Sequence, residues 1–262
     1  MKKAFTITEL LVAVGLLAVV LAACGIIFNY SIDAQRTASA TSEIMRNLRA
    51  ITDQLNADFA GMRKDAPLVV RFDRAGVNAD SVVFFSTGDF QDANGIVRGN
   101  VARIYYGQAL NPNPLLDDIR NKILTRKQVI LAPSKSTSSN EYEPNSLIQE
   151  VKEYLDPGSY DTVSDRWLGR PSVDPNNGRG IPMYLAKGVD DFTIMFCSRS
   201  DIAGGVINWP LTSTGDVYFG YVGYYPPFRT YPDLIRFNFT LYDSKGIIKT
   251  GRRFEHIVYI GR

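Results

Sequence analysis

A chain of 262 residues, 45% hydrophobic and 21% charged, is long and apolar enough for one globular domain of about 200 residues plus an appendage. Its formal charge is +2 and its basic residues are scattered, so it carries no electrostatic footprint for nucleic acid. The cysteines, Cys24 in an apolar stretch and Cys197 far downstream, read as unpaired, and the lone His256 has no neighbouring cluster from which to build a transition-metal site.

The chain opens Met1-Lys2-Lys3-Ala4 and continues Phe5-Thr6-Ile7-Thr8-Glu9-Leu10-Leu11-Val12-Ala13. From Leu10 to Phe28 runs a stretch of 19 residues without a charge. As a helix it reaches about 28 Å, close to the thickness of a bilayer core. Lys2 and Lys3 ahead of it place the N-terminus on the cytoplasmic side and the remainder across the membrane.

Three kinds of segment share this outline. A secretory signal has basic, apolar and small-residue regions in this order. A lipoprotein signal ends in a run like Leu21-Ala22-Ala23-Cys24-Gly25, with the cysteine acylated. The third is a leader cut ahead of the apolar stretch, so that the helix is kept. Glu9 separates them, because a carboxylate entering an apolar span costs up to about 3 kcal/mol at the bilayer centre and less near its edge. A disposable signal gains nothing from that cost. If the cut follows Ala4, Glu9 becomes the fifth residue, one helical turn from the new amine, where it can pair with the amine of a neighbouring subunit. The residues after Cys24 point the same way, since Gly25-Ile26-Ile27-Phe28 stays apolar where a lipoprotein turns polar.

Beyond the span, Ile44, Leu48, Ile51, Leu55, Phe59 and Met62 follow steps of three and four, a single apolar stripe at helical spacing. Arg46, Asn47, Arg49, Asp53 and Asn56 form the wet face between them. No proline interrupts residues 1–66, and Gly61 and Pro67 supply the stop. The pattern predicts one helix from about Phe5 to Ala60, roughly 80 Å long. Ile44, Leu48, Ile51, Leu55 and Phe59 are the candidates for packing it on a head.

The Phe5–Ala13 run resembles the N-terminal motif of type IV pilins and type II secretion pseudopilins. The resemblance implies cleavage between Ala4 and Phe5 by a prepilin peptidase, methylation of the Phe5 amine, and an assembly role for Glu9 in a helical filament. Ala4 stands where the family usually has glycine, and the mid-span proline of many major subunits is missing here. A weaker likeness extends to the J class of minor pseudopilin and to large minor pilins. It rests on the helix ending Leu-x-x-Asp-Phe-Ala-Gly-Met at Met62, on Val101–Tyr106, on Gly188–Thr193 and on Tyr231–Phe239. It implies a leader (1–4), a membrane or filament-core half-helix (5–32), an amphipathic half packed on the head (33–62) and a β-rich head (63–262). The implied role is a minor pseudopilin in a tip complex that primes pseudopilus assembly for protein secretion, with a minor type IV pilin as the alternative and a lipoprotein anchored at Cys24 behind both. The implied partners are the prepilin peptidase, other major and minor (pseudo)pilins and the bacterial inner membrane. The head would be periplasmic, and no cofactor is expected.

In the head, strands are predicted at Leu68–Phe72, Ser81–Ser86, Val101–Gly107, Lys127–Leu131, Asp191–Cys197, Asp216–Tyr221, Leu234–Tyr242 and Arg253–Ile260. The last two read as a closing antiparallel pair. Asp92-Ala93-Asn94-Gly95 and Asp243-Ser244-Lys245-Gly246 have hairpin-turn composition. A short helix is predicted at Ser146–Leu155, with long loops over 132–145 and 156–181. Tyr218, Tyr221, Tyr224 and Tyr225 with Pro226-Pro227-Phe228 form an aromatic-rich stretch that reads as strand and turn packing, or else as a partner surface. The fold class is therefore α+β, one long helix laid on antiparallel sheets.

No catalytic spacing is present: the sequence has no Gly-x-Ser-x-Gly elbow, no His-Glu-x-x-His and no phosphate-cradling glycine loop, so no enzyme is expected. Asp89–Gly95 offers oxygen ligands suited to calcium, but the twelfth position counted from Asp89 is Asn100 instead of the bidentate acid of an EF-hand. It reads as a turn, and no metal site is expected.

Overall fold

The computed structural model describes residues 7–73, 79–92, 97–109, 118–131, 168–173, 180–198, 202–203, 206–207, 209, 215–219 and 231–260. Helix α1 runs unbroken from Ile7 to Ala60, 54 residues and about 80 Å. Among the described residues the head follows as eleven strands: β1 (Leu68–Phe72), β2 (Ser81–Gln91), β3 (Arg98–Gln108), β4 (Ile123–Ile130), β5 (Tyr184–Lys187), β6 (Val189–Cys197), β7 (Ile202–Ala203), β8 (Val206–Ile207), β9 (Gly215–Phe219), β10 (Leu234–Leu241) and β11 (Arg252–Tyr259). The arrangement is α+β, as the sequence pattern predicts.

The strands form a six-stranded sheet in the order β5-β4-β3-β2-β1-β9, a three-stranded sheet β11-β10-β6 and the small hairpin β7-β8, all with antiparallel neighbours. The closing pair is present in full register, from Leu234 opposite Tyr259 to Leu241 opposite Arg252. The two larger sheets are stitched together just before β2. Ala79 bridges Phe192 of β6, the Asp80 amide donates to the Phe192 carbonyl, and the buried Asp80 carboxylate accepts the Ile194 amide at 2.8 Å.

The strand predictions hold for β1 and for the centres of β2, β3, β6, β10 and β11. β4 starts at Ile123, four residues before the predicted Lys127, because Lys127 and its neighbours are flanked by apolar pairs at both ends and not only at the C-terminal one. β5, β7 and β8 lie outside every predicted strand. They are two to four residues long, too short to show an alternation. The predicted helix at 146–155, the loop at 132–145, residues 93–96 of the first turn and Tyr221–Phe228 fall outside the described residues.

Both faces of β2 are covered. Val82 and Phe84 face the helix-side core, while Val83 and Phe85 join Val69, Tyr105 and Leu131 in a second cluster on the opposite face. This explains why β2 reads as a continuous apolar run instead of an alternating one. The main core lies where the C-terminal part of α1 meets both sheets. There Phe59 stacks on Phe84 of the six-stranded sheet, ring centroids 4.1 Å apart, and tilts against Phe237 of the three-stranded sheet at 5.6 Å. One helical side chain thus wedges the two sheets together.

Candidate functional site

The helix has two environments. Its large apolar side chains from Ile7 to Phe28 are all at least half exposed, Val20 the least at 50%. Each would contribute about 1.5–3 kcal/mol on full burial, and an exposed apolar surface of this extent marks a contact face for lipid or protein. It is one N-terminal helix long and apolar enough to cross a membrane. Glu9 lies in its first turn, where the helix dipole favours a carboxylate. Ala4 and Phe5, the predicted processing residues, fall outside the described residues.

Full burial against the head begins at Ala40. Ile44, Ile51, Leu55 and Phe59 are fully buried and Leu48 packs partly buried beside them, so all five predicted packing residues meet the core. Between Phe28 and Ala40 the helix is mostly polar and exposed, with Ile32 half-buried; it carries an Asp33–Arg36 ion pair at 3.8 Å.

The strongest anchor is a residue the stripe did not reveal. Asp58, 4% exposed, lies among the buried positions of the last helical turns. Arg126 of β4 grips its carboxylate with two hydrogen bonds, Nε to Oδ2 at 2.6 Å and Nη2 to Oδ1 at 2.8 Å. The Tyr106 hydroxyl of β3 donates to Oδ2, and Gln54 Nε2 donates to Oδ1 at 3.1 Å from one turn back along the helix. Arg126 is held in turn by Gln128, whose own amide donates to the Gln91 carbonyl. Burial alone would lower the Arg126 guanidinium pKa; the hydrogen bonds and charge of Asp58 outweigh it and hold the pKa above its ordinary value. Burial, reinforced by the charge of Asp58, pushes the Tyr106 phenol well up. The signal in the sequence was a carboxylate three residues after Leu55 and seven after Ile51, on the face that should be dry.

Smaller clamps flank this anchor. Near the N-terminal end of the docked stretch, the Glu43 carboxylate accepts the Ser244 amide and hydroxyl, both at 3.1 Å, and Arg252 donates to the Thr41 hydroxyl at 3.2 Å. Further along, His256 and Asn56 are 2.9 Å apart. Burial lowers the His256 pKa, partly opposed by the charge of Asp53.

The helix ends where its carbonyls are taken over by β2. The Ser86 hydroxyl donates to the Asp58 carbonyl at 2.7 Å, and the Thr87 amide donates to the Gly61 carbonyl at 2.7 Å. A Cβ on Gly61 would lie 2.7 Å from Ser86 Oγ and closer still to the Thr87 carbonyl oxygen. Only glycine lets the chain pass this close to the strand, so Gly61 stops the helix through space as well as through propensity.

Among the described residues, no group of three or more His, Cys, Asp or Glu side chains is arranged to hold a metal ion. Where β2 and β3 approach their connection, the Asp92 carboxylate accepts the Val97 amide at 3.0 Å and the Asp92 amide donates to the Val97 carbonyl. Neither cysteine is in a disulfide: Cys24 is exposed on the helix, and Cys197 is buried in β6, its thiol donating to the Ser198 carbonyl at 3.4 Å. Comparisons with known protein families, with characterised proteins and with solved structures find no match.

Proposed function

We propose that this chain is a structural subunit of a pilin-like filament, inserted in the bacterial inner membrane by α1 and carrying its β-rich head on the periplasmic side. A prepilin peptidase cuts between Ala4 and Phe5, the Phe5 amine is methylated, and Glu9 pairs with the amine of a neighbouring subunit. The subunit acts by head contacts and helix packing, without catalysis. We assign it to a minor pseudopilin of a type II secretion machine, at the tip complex that primes assembly, with a minor pilin of a type IV pilus as the alternative.

One observation carries the reading. A single continuous helix is apolar and uncovered for its first half and locked onto a head by Asp58, Phe59 and the apolar stripe in its second. A disposable signal has no use for a rigid continuation into the fold. The helix also passes through Cys24 and Gly25 without a break, whereas a lipid anchor at Cys24 would remove everything before it.

The test is exchange of Glu9 in cells that assemble the filament. Glu9→Val copies are expected to insert in the membrane as wild type does but to be lost from complexes isolated with the other pilin-like subunits. Recovery of Glu9→Val in those complexes at wild-type level would overturn the assigned role of Glu9.

A further inference from the structure

Among the described residues, the turn between β10 and β11, residues 242–251, lies at the end of the head nearest the apolar span. The Arg252–Thr41 and Ser244–Glu43 bonds fix it there, and Asp243, Lys245 and Ile247 line a notch of about 530 Å³ together with Gln35, Arg36 and Ser39 of the helix. Arg36 is eight residues beyond Phe28, a rise of about 12 Å. The polar layer of a bilayer is about 5–7 Å deep on each side, and electrostatic attraction reaches about 8 Å further at physiological salt. The turn therefore stands within electrostatic reach of the membrane surface.

Its charges are sorted by depth. The Asp243 carboxylate is 1% exposed and accepts the amides of Ile247 and Ile248, both at 2.9 Å. Glu43 is occupied by Ser244. Lys245, Lys249 and Arg253, by contrast, are exposed. Asp243 is thus taken up inside the turn and Glu43 at its edge, and the exposed Asp33 nearer the span pairs with Arg36 at 3.8 Å, which leaves Lys245, Lys249 and Arg253 as the turn's own outward charges.

We propose that this turn is a basic collar that contacts the anionic headgroups of the bilayer spanned by α1 and sets the standing height and tilt of the head before assembly. The inference rests on the membrane-span reading of the helix. Its partner is the lipid surface itself, identified by negative charge within reach of a tethered basic turn.

The experiment reconstitutes the full chain, carrying Cys24→Ala and an environment-sensitive fluorophore on Thr250→Cys, into vesicles. One set is phosphatidylcholine alone and the other contains added phosphatidylglycerol. We expect a blue-shifted, brighter probe only in the phosphatidylglycerol vesicles, reversed by high salt. Lys245→Glu with Lys249→Glu should abolish the shift, and the two arginine replacements should keep it. At about fivefold per unit charge, each lysine-to-glutamate reversal, two units, should lower the ratio of contacting to free heads about 25-fold, and the pair several hundredfold. An identical probe signal in both vesicle types, or a signal unchanged by the double glutamate variant, would overturn the collar. So would a signal that follows protein density in neutral vesicles, which would mark a contact between copies. Flotation of the same samples separates the two claims. Protein that floats with both vesicle types but gives no shift refutes the collar alone, and protein that floats with neither refutes the membrane span as well.

Discussion

Asp58 and Arg126 meet as a doubly hydrogen-bonded ion pair between the last turns of the long helix and the middle of β4, 68 positions apart in sequence. The pair is buried on the carboxylate side and further satisfied by Tyr106 and Gln54. A carboxylate near a helix C-terminus opposes the helix dipole, so its presence there depends on the cation across the interface. The join is thus specified as well as buried, because a one-residue slip of the helix would leave two charges unmatched.

Removing one partner should cost more than removing both. Arg126→Leu leaves Asp58 buried without its cation and should lower unfolding free energy by about 3–5 kcal/mol. Asp58→Leu combined with Arg126→Leu should recover a substantial part of that loss. Chemical denaturation of the detergent-solubilised protein, followed by the tryptophan and far-ultraviolet signals, measures both. Additive losses in the double variant would show that the two residues are not coupled.

Phe59 should be the most sensitive apolar position of the helix, since it touches Phe84 and Phe237 in different sheets. Phe59→Ala is expected to cost about 3–5 kcal/mol. Leu48→Ala, at a partly buried position, should cost clearly less. The comparison is made by the same denaturation, and equal losses would contradict the wedge role.

Gly61→Ala places a methyl group against Ser86 Oγ and the Thr87 carbonyl. The helix end or the strand must shift, for a loss of about 1–3 kcal/mol, as for other overpacked sites. Amide exchange should rise at Thr87 and Arg63, whose amides donate to Gly61 and Phe85 across this contact. Unchanged protection at both amides would rule the close approach out as a constraint.

His256 and Asp243 both tie stability to pH. His256 has a folded pKa below its ordinary 6.5, chiefly through burial. The unfolded chain therefore takes up a proton that the folded chain refuses, and stability falls as pH drops from 6.5 through the folded value. His256→Gln should flatten that part of the profile. For Asp243, burial alone would raise the carboxyl pKa, but the amides of Ile247 and Ile248 outweigh it and hold it below 3.8. Its contribution is present above 3.8 and is lost as pH falls through the folded value, so Asp243→Asn should weaken the protein at neutral pH and remove that acid step. Thermal unfolding across the pH range reads both.

Legibility in the sequence followed the length and regularity of each signal. The helix was plain because its apolar stripe repeats over several turns, and Ile44, Leu48, Ile51, Leu55 and Phe59 all meet the core. β10 and β11 were plain because both are eight residues long with a clear turn between them. β5 stayed hidden because its four residues acquire strand geometry from pairing with β4, a long-range contact without a local pattern. Asp58 was visible as a residue, but its importance depends on Arg126 and Tyr106 arriving from distant strands, and no spacing along the chain announces that.

As proposed, the apolar helix is kept and the cut falls ahead of it. Intact-mass measurement of the mature protein purified from its native membranes tests this most directly. The expected mass is that of a chain that begins at Phe5 with a methyl group on its amine and retains Glu9 and Cys24. A chain that begins at an acylated Cys24, or one that has lost the apolar span altogether, would contradict it.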